Sequence, residues 1–351
     1  MLPIRIIACC VLLTVFGFAQ EIPVPVERFS HPSRPDAAAK AKEEALKYAV
    51  AVNSESADAW TDLGWRLYQD GRYGQCEYAM SQARRFAPAD PYVLWLSGLA
   101  SYAMGQYQPA HDFLWHMWKD NSVYPETVDL GVTYDLLGRI AFQQRDLFTA
   151  AYFFSKAGDE EPKNWQVAYL LGITEWYRQH YSESLNAFER ARSLNPREPL
   201  VLNQYAWARA AVDLRWPEDH EFKDDLAAIH AALKADPSNS ETYELLGRLG
   251  SAKGDFAGAI TALQRSISLD TKSASSRYFL AKLLLATGSA DDRVEAKQLL
   301  LDAIALAPGY WEGEEQSPHA HLLAKMFAEE GSYERAQALL DWINKQNEGP
   351  Q

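Results

Sequence analysis

The chain has 351 residues, 48% of them apolar and 23% charged, with a formal net charge of −13 at pH 7. That much apolar material can close a packed core, so a wholly disordered chain is excluded. The acid excess repels phosphate backbones and argues against a nucleic-acid partner. With only Cys76 beyond the leader, a disulfide framework is also excluded.

Residues 1–19 read as a secretory signal peptide. Arg5 is followed by an uncharged run from Ile6 to Ala19, with Gly17 and Ala19 small before a cut ahead of Gln20. The run is shorter than the ~20 apolar residues of a spanning helix, so a retained anchor is the lesser alternative. The expected location is periplasmic or secreted, with no integral span after cleavage. Residues 20–35 carry Pro23, Pro25, Pro32 and Pro35, which favour an extended tether. Residues 36–56 turn to Ala, Lys and Glu with apolar Leu46, Ala49 and Val52, the pattern of an N-terminal cap helix.

From residue 57 one punctuation recurs. Trp60, Leu63, Gly64, Gly71, Tyr73, Ala83 and Pro88 form its clearest copy; Leu137, Gly138, Ala150, Phe154, Ala157 and Pro162 form another. A third is Leu171, Gly172, Tyr181, Phe188, Ala191 and Pro196. Gly138 and Gly172 stand 34 residues apart, as do Pro162 and Pro196. Eight units follow this phase, at 57–90, 91–124, 131–164, 165–198, 199–239, 240–273, 274–310 and 317–350. Each reads as two antiparallel helices. Gly71, Gly105, Gly254, Gly288 and Gly331 stop the first helix by tolerating positive φ, and Pro88, Pro162, Pro196, Pro237 and Pro308 stop the second. Extra sequence lies at 125–130, around Arg215–His220 in the fifth unit, and in the acidic insert 309–316. The eighth unit carries Gln346 and Glu348 where its predecessors carry Leu and Pro, which suits an uncovered end.

This period and these residues resemble the tetratricopeptide repeat. The resemblance implies an all-α fold, a right-handed superhelical solenoid of about eight helix-turn-helix repeats, whose first helices line an inner, concave wall. It is specific for the fold and says little of function, which sits in the groove.

No catalytic signature stands in the chain: no H-E-x-x-H, Walker loop, G-x-S-x-G or C-x-x-C. No cofactor and no metal is expected. Asp112 and His116 share a helix face and could bind a metal, but solvated surface is the simpler reading. The acidic run Glu218–Asp225 lacks the ligand spacing of a calcium loop. Cys76 stands where the repeat needs a small residue and reads as a buried substitute for alanine.

The informative pattern is on the first helices. Positions 4, 7, 8 and 11 of each unit should pack the core, whereas 2, 5, 9 and 12 form a second stripe. In the family this stripe faces the groove. It holds Trp65, Tyr68, Tyr92, Trp95, Tyr102, Phe142, Tyr169, Trp176, Trp207 and Tyr278: ten rings in 32 places, where the 12% average gives about four. Rings give wide contact at little entropic cost. Filling between neighbouring first helices is the competing reading.

Arg139, Arg248, Lys282 and Lys325 add charge at position 9. Asp135 and Glu244 stand one turn before the two arginines and suit pairs that serve the helix alone; Lys282 has no such acid. The functional expectation is a non-enzymatic extracytoplasmic scaffold that holds a protein or peptide segment on the ring-lined wall. Asn203, Gln166, Arg139 and Lys282 would meet its polar groups. The alternative is a glycan-binding envelope protein, in which rings stack on sugars and inward cations meet acidic glycans.

Overall fold

The computed structural model describes residues 37–120, 124–214, 223–308, 311–312 and 315–347. The leader, the Pro-rich tether, the surplus at Arg215–His220, Tyr310 and Glu348 lie outside the described residues, as does the side chain of Gln346. The chain divides into two compact units, one ending at Ala187 and one beginning at Phe188.

The first unit carries α1 (Ala37–Val52), α2 (Ala57–Gln69), α3 (Tyr73–Phe86), α4 (Pro91–Ala103), α5 (Tyr107–Asp120), α6 (Leu130–Gln143), α7 (Leu147–Glu160) and α8 (Trp165–Tyr177). The division falls within α9 (Tyr181–Leu194). The second unit carries α10 (Pro199–Leu214), α11 (Lys223–Ala235), α12 (Ser240–Lys253), α13 (Phe256–Leu269), α14 (Ala274–Thr287), α15 (Ala290–Leu306), α16 (Pro318–Glu329) and α17 (Tyr333–Asn347). Within each unit consecutive helices form hairpins, among them α2–α3, α4–α5 and α6–α7, then α12–α13 and α14–α15.

Local chemistry sets the helix starts. Ser56, Asp90, Asp129, Asn164, Asn239 and Ser273 each accept a backbone N–H at the first turn of a first helix. Such caps contribute about 1 kcal/mol each by satisfying donors that the helix leaves open. At the hairpin turn, Gly71, Gly105, Gly254, Gly288 and Gly331 all take positive φ, between 70° and 87°, as their spacing predicts. Two hairpins make the same turn without glycine: Arg145 and Gln179 hold φ of 62° and 63°. No residue type at these two turns announces the strain, because nothing in those side chains favours the left-handed region.

The hairpins close because small residues let the helices approach. A Cβ on Gly138 would lie 2.8 Å from the ring of Phe154, and one on Gly98 would lie 2.5 Å from Leu114. Phe154 and Leu114 are fully enclosed as a result. Burying a ring of that size stabilises by about 1.5–3 kcal/mol. Cys76 sits in the alanine column of α3 with Ala79 and Ala83, wholly buried, and burial pushes its thiol up to about 12.

The acidic insert 309–316 has no repeat counterpart in the other units. In it, β1 (Trp311–Glu312) pairs antiparallel with β2 (Glu315–Gln316), in the register Trp311 to Gln316 and Glu312 to Glu315. The short ladder gives the backbone groups partners where no helix continues. Ser317 follows with φ of 53°, and its hydroxyl donates to the Pro308 carbonyl at 2.6 Å, which ties the two ends of the insert together. No helix among the described residues is long and apolar enough to cross a membrane.

Candidate functional site

In the first unit the stripe residues of α2 and α4 meet across the two helices. Trp65 stacks on Trp95 with centroids 6.0 Å apart and planes 29° apart, and on Tyr68 at 5.9 Å. Tyr92 stacks on Trp95 at 5.6 Å. Trp95 is thereby only 4% exposed, whereas Trp65, Tyr68, Tyr92 and Tyr102 keep part of their surface. Further along, Tyr169 and Trp176 of α8 are 3% and 7% exposed. Phe142 stays half-buried against Tyr177.

The stripe is therefore not separate from the core throughout its length. Trp95 and Tyr169, at position 5, and Trp176, at position 12, are buried in the packed interior of this unit. The open part in this unit is Trp65, Tyr68, Tyr92 and Tyr102, with Phe142 and Gln166 partly exposed beyond. Burial pushes the phenols of Tyr92 and Tyr102 up to about 12 and that of Tyr68 upward as well, so all three stay neutral hydroxyls at physiological pH.

Beside Tyr102, α6 carries a sealed ion pair. Arg139 Nε donates to Asp135 Oδ1 at 2.9 Å, with side chains 5% and 3% exposed. The two charges pull the Tyr102 phenol in opposite directions, Arg139 downward and Asp135 upward, with burial dominant. The pair is the helix-serving one that the spacing predicts. Its guanidinium is nonetheless incompletely used: Arg139 Nη1 is enclosed and meets no protein acceptor, and neither does the indole N–H of Trp95.

The second unit is built differently. Trp207 and Tyr278 are 3% and 6% exposed. Arg248 lies over the rings of Phe279 and Trp207, at 4.1 and 5.4 Å, and reaches Glu244 at 3.4 Å. Glu244 also accepts from the hydroxyls of Ser275 and Ser276, at 2.6 and 2.7 Å. Asn203 is 5% exposed; it accepts from the Thr242 hydroxyl and donates to Glu241 at 3.4 Å. The Lys282 ammonium sits over Tyr278 at 5.2 Å and Phe279 at 5.6 Å, and the side chain is half-buried. Cations that the sequence offers to an anionic guest are thus engaged with rings and carboxylates of their own unit. Lys325, by contrast, is exposed.

Asp112 and His116 do not come together. His116 pairs with Asp120 at 3.1 Å, and Asp112 accepts from Gln108 at 3.0 Å and faces His111 at 3.2 Å. From the acidic run, Asp224 lies 2.9 Å from Arg209 and Asp225 lies 3.5 Å from it. Among the described residues no group of three or more His, Cys, Asp or Glu is placed to hold a metal ion.

A family model described as the cytochrome c-type biogenesis protein H TPR domain matches residues 213–347. Cytochrome c-type biogenesis protein CycH of Pseudomonas aeruginosa is 32% identical over 115 residues, covering 32% of this chain and 27% of that protein. Protein O-mannosyl-transferase TMTC1 of Mus musculus is 25% identical over 124 residues, covering 35% of this chain and 13% of that protein. The chain thus spans only about a quarter, or less, of the length of these relatives. Among solved structures, the C-terminal part of a TPR repeat-containing protein from Cytophaga hutchinsonii aligns with TM-score 0.53 at 13% identity, over 71% of this chain and 96% of that one. The type IV pilus biogenesis factor PilW aligns with TM-score 0.51 at 17% identity, over 64% and 96%.

Repeated helical hairpins with glycine turns and a small-residue column define the class: a helical repeat protein. The described residues share the tetratricopeptide repeat fold, and residues 213–347 match the model of one tetratricopeptide repeat domain.

Proposed function

We propose that this chain is a non-enzymatic, extracytoplasmic adaptor that holds an extended segment of a partner protein against the ring wall of its first unit. The observation that carries the reading is the partly open set Trp65, Tyr68, Tyr92 and Tyr102, anchored on a sealed Trp95. Rings fixed from behind lose little freedom when a guest packs on them, which is the economy of a preorganised surface. A peptide suits this wall better than a sugar. Sugar stacking needs an open ring face, and the indole faces of Trp65 and Trp95 are turned on each other and on tyrosines.

The match of residues 213–347 to a cytochrome c-type biogenesis repeat domain supports a place in an envelope assembly that matures c-type cytochromes. The apolar leader supports export.

A photoreactive phenylalanine analogue placed at Tyr102 of the full-length chain tests this in cells. The expected result is a crosslink to one or a few envelope proteins, with components or substrates of cytochrome c assembly among them. The same analogue at exposed Tyr333 on α17 should give a different set or none. Identical crosslinks from both positions, or none above background at Tyr102, would overturn the proposal.

A further inference from the structure

We infer that the guest segment is proline-rich and extended, read through its carbonyl oxygens. This rests on the peptide-binding reading above and names the chemistry of the peptide. The argument is one of hydrogen-bond complementarity. Two enclosed atoms on the first-unit stripe have no protein acceptor, Trp95 Nε1 and Arg139 Nη1, and both are donors. They belong to side chains that are 4% exposed; Trp95 stacks on the partly open Tyr92, and Arg139 lies near enough to the partly open Tyr102 to act on its phenol. A buried donor left unpaired is a standing cost, which a guest that supplies an acceptor relieves.

The acceptor should be neutral. Arg139 already has its counter-charge in Asp135, so the pair as a whole carries none, and a carboxylate would meet Asp135 as a like charge. A backbone carbonyl fits that balance. The guest should also be rich in acceptors and poor in donors, because both enclosed, unpartnered atoms described on this stripe are donors. Prolyl residues satisfy both conditions. They have a carbonyl and no N–H, they hold an extended polyproline conformation without internal hydrogen bonds, and their apolar rings pack on Trp and Tyr. Both nitrogens are enclosed, so a guest reaches them by rotation of neighbouring side chains, a change common at interfaces.

Calorimetric titration of the full-length chain with the peptide acetyl-(Pro)9-amide tests the inference, against a soluble nine-residue Gly/Ala/Ser peptide. The expected result is saturable binding of the proline peptide, at least tenfold tighter than the control. Trp95→Phe keeps a ring and removes the donor; Arg139→Lys keeps the charge and removes the fork. Each should weaken binding about three- to tenfold, the range of one net hydrogen bond. Trp115→Phe on α5, away from the stripe, should bind as the parent does, and circular dichroism checks that each variant is folded. If Arg139→Lys fails to fold, Trp95→Phe alone decides.

Equal binding of both peptides would overturn the proline preference while leaving the peptide-holding wall in place. Parent-like affinity in folded Trp95→Phe and Arg139→Lys would overturn the donor argument. Absence of proline-peptide binding overturns the inference, and the Tyr102 crosslink then reports separately on whether the wall holds any guest.

Discussion

Arg139 donates to Asp135 at 2.9 Å, one turn apart on α6, and both side chains are almost sealed from solvent. A surface pair of this spacing contributes little, but a sealed one cannot lose a partner without stranding a charge. Asp135→Asn should therefore cost about 3 kcal/mol or more of unfolding free energy. Glu44→Gln, which removes the exposed 2.9 Å contact to Lys47, should cost less than about 1 kcal/mol. Urea denaturation of both variants makes the comparison; costs of similar size would show that the enclosure of Asp135 has no energetic consequence.

The two non-glycine turns give a prediction of opposite sign. Arg145 and Gln179 occupy the left-handed region at φ of 62° and 63°, where five sister turns use glycine. The left-handed region costs a side-chain-bearing residue about 1–2 kcal/mol, less the entropy that glycine returns to the unfolded chain. Arg145→Gly or Gln179→Gly should each stabilise by roughly 0.5–1 kcal/mol, and Gly254→Ala should destabilise by a similar amount. Melting of the three variants checks this. A lower melting temperature for both glycine variants would mean that side-chain contacts, such as those of Arg145, outweigh the backbone strain.

His319 gives the chain a pH dependence. Its ring is fully buried and its Nε2 meets the Ala307 carbonyl at 2.8 Å, so the neutral ring donates there. Burial lowers its pKa below the ordinary 6.5, against the opposing effect of its backbone hydrogen bonds. On unfolding, the freed imidazole takes up a proton near pH 6.5, while the folded one resists to lower pH. The unfolded state then binds more protons, so stability is fully present above about pH 6.5 and falls as pH drops toward the folded value, by at most about 1.4 kcal/mol per pH unit. The urea midpoint at pH 7.5, 6.5 and 5.5 should decline in the parent and decline less in His319→Gln. Equal slopes would place the titration elsewhere.

Much of the architecture was legible because it is local. Proline at Pro88, Pro162 and Pro196 and glycine at Gly71, Gly105 and Gly254 restrict the backbone whatever surrounds them, so they mark helix ends in the bare sequence. Asp135 before Arg139 likewise announces its own pair, since the helix brings residues four apart together. The turns at Arg145 and Gln179 and the ladder from Trp311 to Gln316 were not legible, because no residue type there demands those conformations.

The site divides along the same line. Counting along each first helix finds the ring stripe, because position within a helix is a property of one segment. It does not tell that Trp95 is sealed while Trp65 and Tyr102 stay partly open, or that Lys282 lies over Tyr278. Exposure depends on how near the next first helix comes, and that distance is set by side-chain volumes on two segments about 34 residues apart. The sequence by itself determined the repeating hairpin, its phase and the chemistry offered on its first helices. Tertiary packing alone decided which rings are sealed against the neighbouring helix and which stay partly open, because close-packed surfaces are shared between elements and belong to neither.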